Sequence, residues 1–188
     1  MPLNLPNLIT WLRILLIPLM VGIFYLPDEW LSFSGKNIAG TAVFIIAAIT
    51  DWLDGYLART LNQMSAFGAF LDPVADKLVV VGALIVLLTL GRVDMVVGLI
   101  IIGREIAISA LREWMAQLGQ SKSVAVAFIG KVKTVGQMVA IPLLLYHEEL
   151  FELVDCQWLG TILINVAAVL TVISMLYYLR KALPHATG

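Results

Sequence analysis

The feature that most restricts this chain is a series of six long apolar stretches. A helix needs ~20 mostly apolar residues to cross a bilayer. The stretches cover residues 8–26, 38–59, 68–90, 94–116, 124–146 and 157–179. They take up most of the 188 residues, and the connections between them are short. We therefore predict an all-α integral membrane protein, a bundle of six transmembrane helices in which residues 1–188 form a single domain.

The composition excludes the soluble alternatives. Apolar residues make up 61% of the chain and charged residues only 13%. A soluble protein of this length would leave much of that apolar surface in water. The net charge of −1 gives no reason to expect a polyanionic partner, so we predict no binding to nucleic acid. The alternating pattern of a membrane β-barrel is also absent from the sequence.

The basic residues predict the orientation of the chain. With both termini in the cytoplasm, ten of the twelve Lys and Arg residues fall on the cytoplasmic side, and only Lys36 and Arg92 fall outside. Cytoplasmic segments of membrane proteins carry an excess of basic residues. The outer connections are instead acidic, with Asp28, Glu29, Asp94, Glu148, Glu149, Glu152 and Asp155. We therefore predict an N-in, C-in topology.

Four aspartates lie in or beside the second and third stretches, where apolar residues are expected. A charge at the centre of a span costs ~2.5–3.5 kcal/mol on insertion scales. Asp51 and Asp54 are three residues apart, and Asp72 and Asp76 are four apart, so each pair shares one helix face. The short connection makes the two helices antiparallel. The two pairs can therefore converge at the cytoplasmic end of the bundle.

Four converging carboxylates predict a site for divalent cations. Hard oxygen ligands suit Mg²⁺, Mn²⁺ or Ca²⁺, and no His or Cys lies nearby to indicate zinc. The four acids suffice for two ions. The alternative is that they are interfacial aspartates paired with Arg59 and Lys77. Thr10 and Arg13, three apart on the first helix, face the same end of the bundle, where either a supporting role or plain anchoring fits them.

Residues 51–76 read D-x2-D-G-x2-A-R-x8-G-x3-D-x3-D, in which the eight specified positions are Asp51, Asp54, Gly55, Ala58, Arg59, Gly68, Asp72 and Asp76. This pattern resembles the signature of the CDP-alcohol phosphotransferase family, integral membrane enzymes of phospholipid synthesis. The resemblance implies six transmembrane helices, a homodimer and a two-metal site facing the cytoplasm. It also implies that a phosphatidyl group passes from CDP-diacylglycerol to an alcohol, with release of CMP.

The resemblance also implies a role for each signature position. Asp51, Asp54 and Asp72 would bind Mg²⁺ or Mn²⁺, and Asp76 would complete the metal cluster and act as the general base. The nucleotide site would be lined by Asp51, Asp54, Gly55, Ala58, Arg59 and Gly68.

Further segments, at residues 4–18, 67–77, 104–119 and 130–140, resemble one branch of the family. In that branch the acceptor is sn-glycerol 3-phosphate and the enzyme lies in the bacterial cytoplasmic (inner) membrane. The residues independently favour a phosphorylated acceptor. Arg104 and Arg112 are eight apart and share a face of the fourth helix, and Lys131 and Lys133 open the fifth. Such a cationic pocket suits glycerol 3-phosphate, and inositol phosphate equally, better than serine.

Two other hypotheses remain beside this one. A synthase of the same family could use another acceptor, namely inositol phosphate, serine or phosphatidylglycerol. A transporter could instead relay protons or ions through intramembrane acids. In a transporter, however, we expect such acids deeper in the membrane, on helices interrupted at its middle.

Overall fold

The computed structural model describes residues 5–60, 66–117, 128–150 and 153–183. The described residues form six α-helices and one two-stranded antiparallel hairpin. The helices are α1 (Leu5–Tyr25), α2 (Phe33–Thr60), α3 (Ala66–Thr89), α4 (Met95–Gln117), α5 (Phe128–Tyr146) and α6 (Cys156–Ala182). Strands β1 (Glu149–Leu150) and β2 (Val154–Asp155), which were not predicted, precede α6. The helices coincide with the predicted stretches to within a few residues, although residues 124–127 lie outside the described part.

Three segments of the described helices are long and apolar enough to cross a membrane: Asn7–Tyr25, Phe33–Asp54 and Cys156–Arg180. Val132–Tyr146 is a shorter apolar helix. Charged residues within α3 and α4, such as Asp76 and Arg104, interrupt their apolar runs. The apolar helices indicate a helical membrane protein.

Helices α2, α4 and α6 each begin with a capping side chain. The backbone N–H groups of Gly35, Val96 and Trp158 donate to Ser32 Oγ at 3.2 Å, Asp94 Oδ1 at 2.8 Å and Asp155 Oδ1 at 2.9 Å. A side-chain oxygen in this position satisfies one of the backbone N–H groups that the first helical turn leaves free. Two of the acidic residues in these connections, Asp94 and Asp155, thus have a local structural role.

The described helices enclose one main apolar core and one smaller apolar cluster. Helix α1 packs against α2 and α3, while α5 packs against α6 and α2, and α4 packs against α6. The main apolar core is formed by residues such as Phe44, Leu84, Leu87, Ile141 and Leu144, all at most 1% exposed. A smaller cluster between α4 and α6 contains Ile108, Met115, Tyr178 and Ala182. The outward faces carry exposed apolar side chains such as Leu15, Leu99 and Val169, a surface that suits lipid.

The end where α2, α4 and α6 begin is held by a buried arginine, and we call it the Arg92 end. Arg92 Nη1 donates to the carbonyls of Leu144 at 3.0 Å and Leu145 at 2.7 Å, and Nη2 donates to Asn37 Oδ1 at 2.7 Å. Carbonyls in the last turn of a helix have no partner within the helix, so Arg92 completes the end of α5. The opposite end, where α1, α3 and α5 begin, is called the site end below.

Candidate active site

Helices α1, α2 and α3 bring the four predicted aspartates together at the site end. Arg13 of α1 lies among them, and its Nη1 donates to Asp51 Oδ1 at 3.0 Å and also to Asp76 Oδ1. Its Nη2 donates to Asp54 Oδ2. Thr10, one turn earlier on the same face of α1, donates its hydroxyl to Asp72 Oδ1 at 2.7 Å. Thr10 and Arg13 therefore join all four carboxylates into one acid cluster.

The members of the acid cluster differ in exposure. The side chain of Asp54 is 4% exposed, whereas those of Asp51 and Asp76 are 41% and 39% exposed. The Arg13 side chain is 1% exposed. A ligand arriving from outside the bundle therefore meets Asp51 and Asp76 first, while Asp54 and Arg13 form the buried floor.

The pairing of the acids differs from the alternative that the sequence left open. Lys77 does not pair with the carboxylates in the described contacts, since its Nζ donates to Ser109 Oγ on α4. The side chain of Arg59 lies outside the described part. Among the described side chains, the cation that binds these acids is Arg13, because α1 packs against both α2 and α3 and carries its guanidinium between them. Of the two roles left open for Arg13, the contacts favour support of the acids over plain anchoring.

The donor chemistry of the acid cluster fits a hard divalent cation, since it consists of carboxylate oxygens. Over the described ranges, however, no three acidic, histidine or cysteine side chains are arranged as a ligand group for a metal ion. The guanidinium of Arg13 lies between Asp51, Asp54 and Asp76 and binds one oxygen of each.

The predicted nucleotide-binding positions are described only in part. Gly55, Ala58 and Arg59 belong to the last turns of α2, but their side chains lie outside the described part. Gly68 is buried in the first turn of α3. Both segments border the acid cluster, because Gly55 follows Asp54 directly and Gly68 lies one turn before Asp72.

A second cluster, the basic cluster, forms where α4, α5 and α6 meet. Lys133 of α5 is 1% exposed and donates from Nζ to Glu105 Oε1. Arg104 of α4 donates to the same oxygen at 3.2 Å and to Ser174 Oγ of α6 at 3.4 Å. Arg104 and Arg112 both act electrostatically on Lys133. Three predicted phosphate-binding cations are thus brought together, whereas the side chain of Lys131 lies outside the described part.

Tyr178 of α6 is a member of the basic cluster that the sequence reasoning missed. Its buried ring lies 6.0 Å from the Arg104 guanidinium and 5.6 Å from that of Arg112, within the range of cation–π contact. A usable signal was present, because Thr171, Ser174 and Tyr178 follow one another at intervals of three and four and so share a face of an apolar helix. All three are buried.

The acid cluster and the basic cluster are neighbours. Lys77 follows Asp76 directly on α3 and binds Ser109 on α4. Ser109 lies one turn beyond Glu105, which joins Arg104 and Lys133. The carboxylates of the acid cluster thus lie beside the cations of the basic cluster. This arrangement can hold a metal–diphosphate on one side and a phosphate on the other.

The chain is similar to known proteins over almost its whole length. Residues 3–173 match the family model described as CDP-alcohol phosphatidyltransferase. A CDP-diacylglycerol–glycerol-3-phosphate 3-phosphatidyltransferase from Escherichia coli (strain K12) is 48% identical over 190 aligned residues, which cover 97% of this chain and 96% of the relative. The protein of the same name from Shigella flexneri serotype 5b (strain 8401) shows the same identity and coverage.

Proposed function

Because this chain belongs to the CDP-alcohol phosphatidyltransferase family, we propose that it transfers the phosphatidyl group of CDP-diacylglycerol to sn-glycerol 3-phosphate and releases CMP. The product, phosphatidylglycerophosphate, feeds phosphatidylglycerol and cardiolipin synthesis. The family resemblance predicted from residues 51–76 is thereby confirmed. The observation that carries the proposal is the acid cluster lying beside the basic cluster at one end of the bundle.

On the acid side, Asp51, Asp54, Asp72 and Asp76 are the residues that would hold two Mg²⁺ or Mn²⁺ ions. Divalent-metal dependence is general in this family. Bound ions supply charge stabilisation to the attacking and leaving oxygens of an in-line displacement at phosphorus. The observation that supports this assignment is the convergence of four carboxylates on Thr10 and Arg13.

Asp76 is the proposed general base. The acceptor hydroxyl loses its proton to a carboxylate oxygen of Asp76, its oxygen forms a bond to the phosphorus that carries diacylglycerol, and the bond from that phosphorus to the CMP oxygen breaks. A base must lie within hydrogen-bond reach of the proton that it takes. Asp76 meets this need better than Asp54, because its side chain is 39% exposed against 4% for Asp54. The cytidine part of the donor would bind along Gly55, Ala58, Arg59 and Gly68.

The acyl chains of the donor have a place beside the acid cluster. An apolar groove of about 350 Å³ lies between α2 and α5 and is lined by Ile49, Trp52, Met138 and Pro142 among others. Trp52 lies at the same level of α2 as Asp51, so one end of the groove is level with the carboxylates. A lipid whose headgroup reaches the acid cluster can leave its chains on this apolar surface.

The basic cluster is the proposed site for the acceptor phosphate, bound by Arg104, Arg112, Lys131 and Lys133. Arg104 and Lys133 share a single carboxylate, Glu105, and Arg112 adds a further positive charge near Lys133, so these described side chains keep a net positive charge. A phosphate dianion can make charge-assisted hydrogen bonds with guanidinium groups held in this way. Serine or choline would leave the excess charge uncompensated.

The proposal includes six membrane spans in one domain, both termini in the cytoplasm, and a homodimer in the bacterial cytoplasmic (inner) membrane. The site end would then face the cytoplasm, where CMP and glycerol 3-phosphate are soluble. Two pairings support this orientation. Lys36 binds Asp28 at 2.6 Å, and Arg92 donates hydrogen bonds to two carbonyls at the end of α5. The two basic residues on the proposed outer side therefore both have local partners.

The test is CMP release by the purified protein, supplied with CDP-diacylglycerol, Mg²⁺ or Mn²⁺, and one acceptor at a time. We expect CMP with glycerol 3-phosphate and none with serine. CMP release with inositol phosphate alone would change the acceptor and leave the family chemistry in place. No CMP with any acceptor, from protein that remains folded, would overturn the enzyme proposal and favour transport of ions.

A further inference from the structure

Arg13 binds one carboxylate oxygen of each of three residues in the proposed metal site. Its guanidinium is buried and binds one oxygen each of Asp51, Asp54 and Asp76, which belong to two other helices. A small divalent cation binds carboxylate oxygens at about 2.0–2.1 Å and with strict geometry. An oxygen whose lone pair is directed at a guanidinium cannot at the same time face such an ion in full.

Arg13 also has a stabilising role toward the same groups. Four carboxylates at close range repel one another, and burial of Asp54 makes its negative charge costly without a partner. Because a guanidinium remains protonated in proteins, the charge of Arg13 is permanent. The bonds from Arg13 hold α2 and α3 to α1 by their acidic side chains.

From these two effects we propose that Arg13 is a resident counter-cation of the acid cluster and competes with divalent ions for its oxygens. Loading of the site with metal then requires the guanidinium to withdraw from Asp51 and Asp76, which are the more exposed pair. Arg13 would thus weaken metal binding and at the same time keep the acid cluster assembled at low metal concentration. This inference rests on the proposed function, because it assumes that the acid cluster is the metal site.

The experiment compares Arg13→Gln with Arg92→Gln in the purified full chain after removal of metal by chelation. Arg92 is the matched control, since it is also buried but its partners are neutral. Binding of Mn²⁺ is measured from the EPR signal of the free ion, and thermal unfolding is measured with and without Mn²⁺. Both variants are expected to unfold at a lower temperature than the parent chain in the absence of metal.

The two variants should differ in metal affinity. We expect Arg13→Gln to bind Mn²⁺ about tenfold more tightly, because a competing charge has been removed. We expect Arg92→Gln to bind Mn²⁺ with unchanged affinity. A merely structural role for Arg13 would leave its variant with equal or weaker Mn²⁺ binding, and that result would overturn the inference.

Should Arg13→Gln fail to fold, Arg13→Lys provides the second variant. A lysine ammonium is a point charge that cannot reproduce the fork of contacts to three carboxylates. Tighter Mn²⁺ binding by Arg13→Lys supports competition, and equal or weaker binding contradicts it. Failure of the proposed function is distinguishable, because it appears as lack of CMP release by the parent chain, whereas failure of this inference appears in an active parent chain.

Discussion

Arg13 and Arg92 are both buried arginines, but they lie at opposite ends of the bundle and have opposite surroundings. Arg92 donates to two backbone carbonyls and one amide oxygen, all of them neutral. Arg13 donates to three carboxylates, with a fourth close by through Thr10. The hydrogen bonds of Arg92 connect the turn after α3 with α2 and α5, and its single positive charge is opposed by the nearby carboxylate of Glu148. Those of Arg13 leave a net negative charge, which is available to a ligand.

Burial alone therefore does not separate a structural arginine from one in a functional site. What separates the two is the summed charge of the groups that accept hydrogen bonds from the guanidinium. Neutral acceptors satisfy a guanidinium and complete a helix end. An excess of carboxylates stores negative charge that an incoming cation can neutralise. Substitutions at the site end should therefore change activity more than stability, and those at the Arg92 end should do the reverse.

The largest effect is expected from Asp76→Asn. The variant keeps the size of the side chain but cannot accept the proton of the acceptor hydroxyl, so CMP formation should fall about 10²–10⁴-fold. The side chain is 39% exposed, so unfolding temperature should change little. Asp28→Asn is the control, because Asp28 binds Lys36 away from the site end. Near-normal turnover by Asp76→Asn would remove Asp76 as the base.

The converse effect is expected from Arg92→Met. The substitution leaves the carbonyls of Leu144 and Leu145 and the amide oxygen of Asn37 without their donor. The loss of buried hydrogen bonds should lower the free energy of unfolding by about 2–4 kcal/mol. CMP formation per folded molecule should remain within about twofold of the parent. A large loss of turnover in protein that is still folded would contradict the expectation that the Arg92 end affects stability and not activity.

At the basic cluster, Arg112→Ala should act on the acceptor alone. Arg112 is exposed and contacts Tyr178, so its loss removes a phosphate contact with little effect on the core. We expect the KM for glycerol 3-phosphate to rise about tenfold or more, with the KM for CDP-diacylglycerol unchanged. Arg180→Ala, which removes an exposed arginine from α6, is the matched control. A rise in the KM for CDP-diacylglycerol alone would contradict the proposal that Arg112 binds the acceptor.

Tyr178→Leu should have a smaller effect of the same kind. The leucine fills apolar space but removes the ring that lies beside Arg104 and Arg112. A cation–π contact to an exposed cation such as Arg112 contributes about 0.5–1 kcal/mol, so the acceptor KM should rise about twofold to fivefold. Tyr178→Phe keeps the ring and should lie closer to the parent. If Leu and Phe raise the KM equally, the ring face is not what positions the guanidinium groups.

The parts that could be predicted from sequence are those set by local periodicity. Helix length, the short connection between α2 and α3, and the spacing of Asp51, Asp54, Asp72 and Asp76 were enough to predict converging acids. The partner of those acids could not be derived in this way. It depends on how α1 packs between two helices, and the spacing of Thr10 and Arg13 only placed both on one face.

The Arg92 end shows the same limit. Arg92 was interpreted as one of two exceptions to the excess of basic residues on the cytoplasmic side. Arg92 binds the free carbonyls of Leu144 and Leu145, which lie 52 and 53 residues further along the chain, and only the tertiary contact reveals this role. Tyr178 was missed because the last helix had no motif, although its polar face was already readable from spacing.

The smallest expected effect concerns pH at the Arg92 end. His147 follows α5 in the left-handed conformation, with a φ of 66°. Burial, followed by the nearby Arg92, lowers the pKa of His147, although Asp155 and Glu148 oppose the shift. Because the folded chain favours the neutral imidazole, this contribution to stability is complete above the unfolded pKa of about 6.5 and is lost as pH falls below it.

His147→Asn tolerates the left-handed backbone and does not titrate. The unfolding temperature of the parent should thus fall more than that of His147→Asn between pH 7.5 and pH 5.5, with CMP formation at pH 7.5 unchanged. Equal slopes in the two proteins would show that His147 does not contribute, and would leave Arg92 with its neutral partners as the stabilising feature of that end.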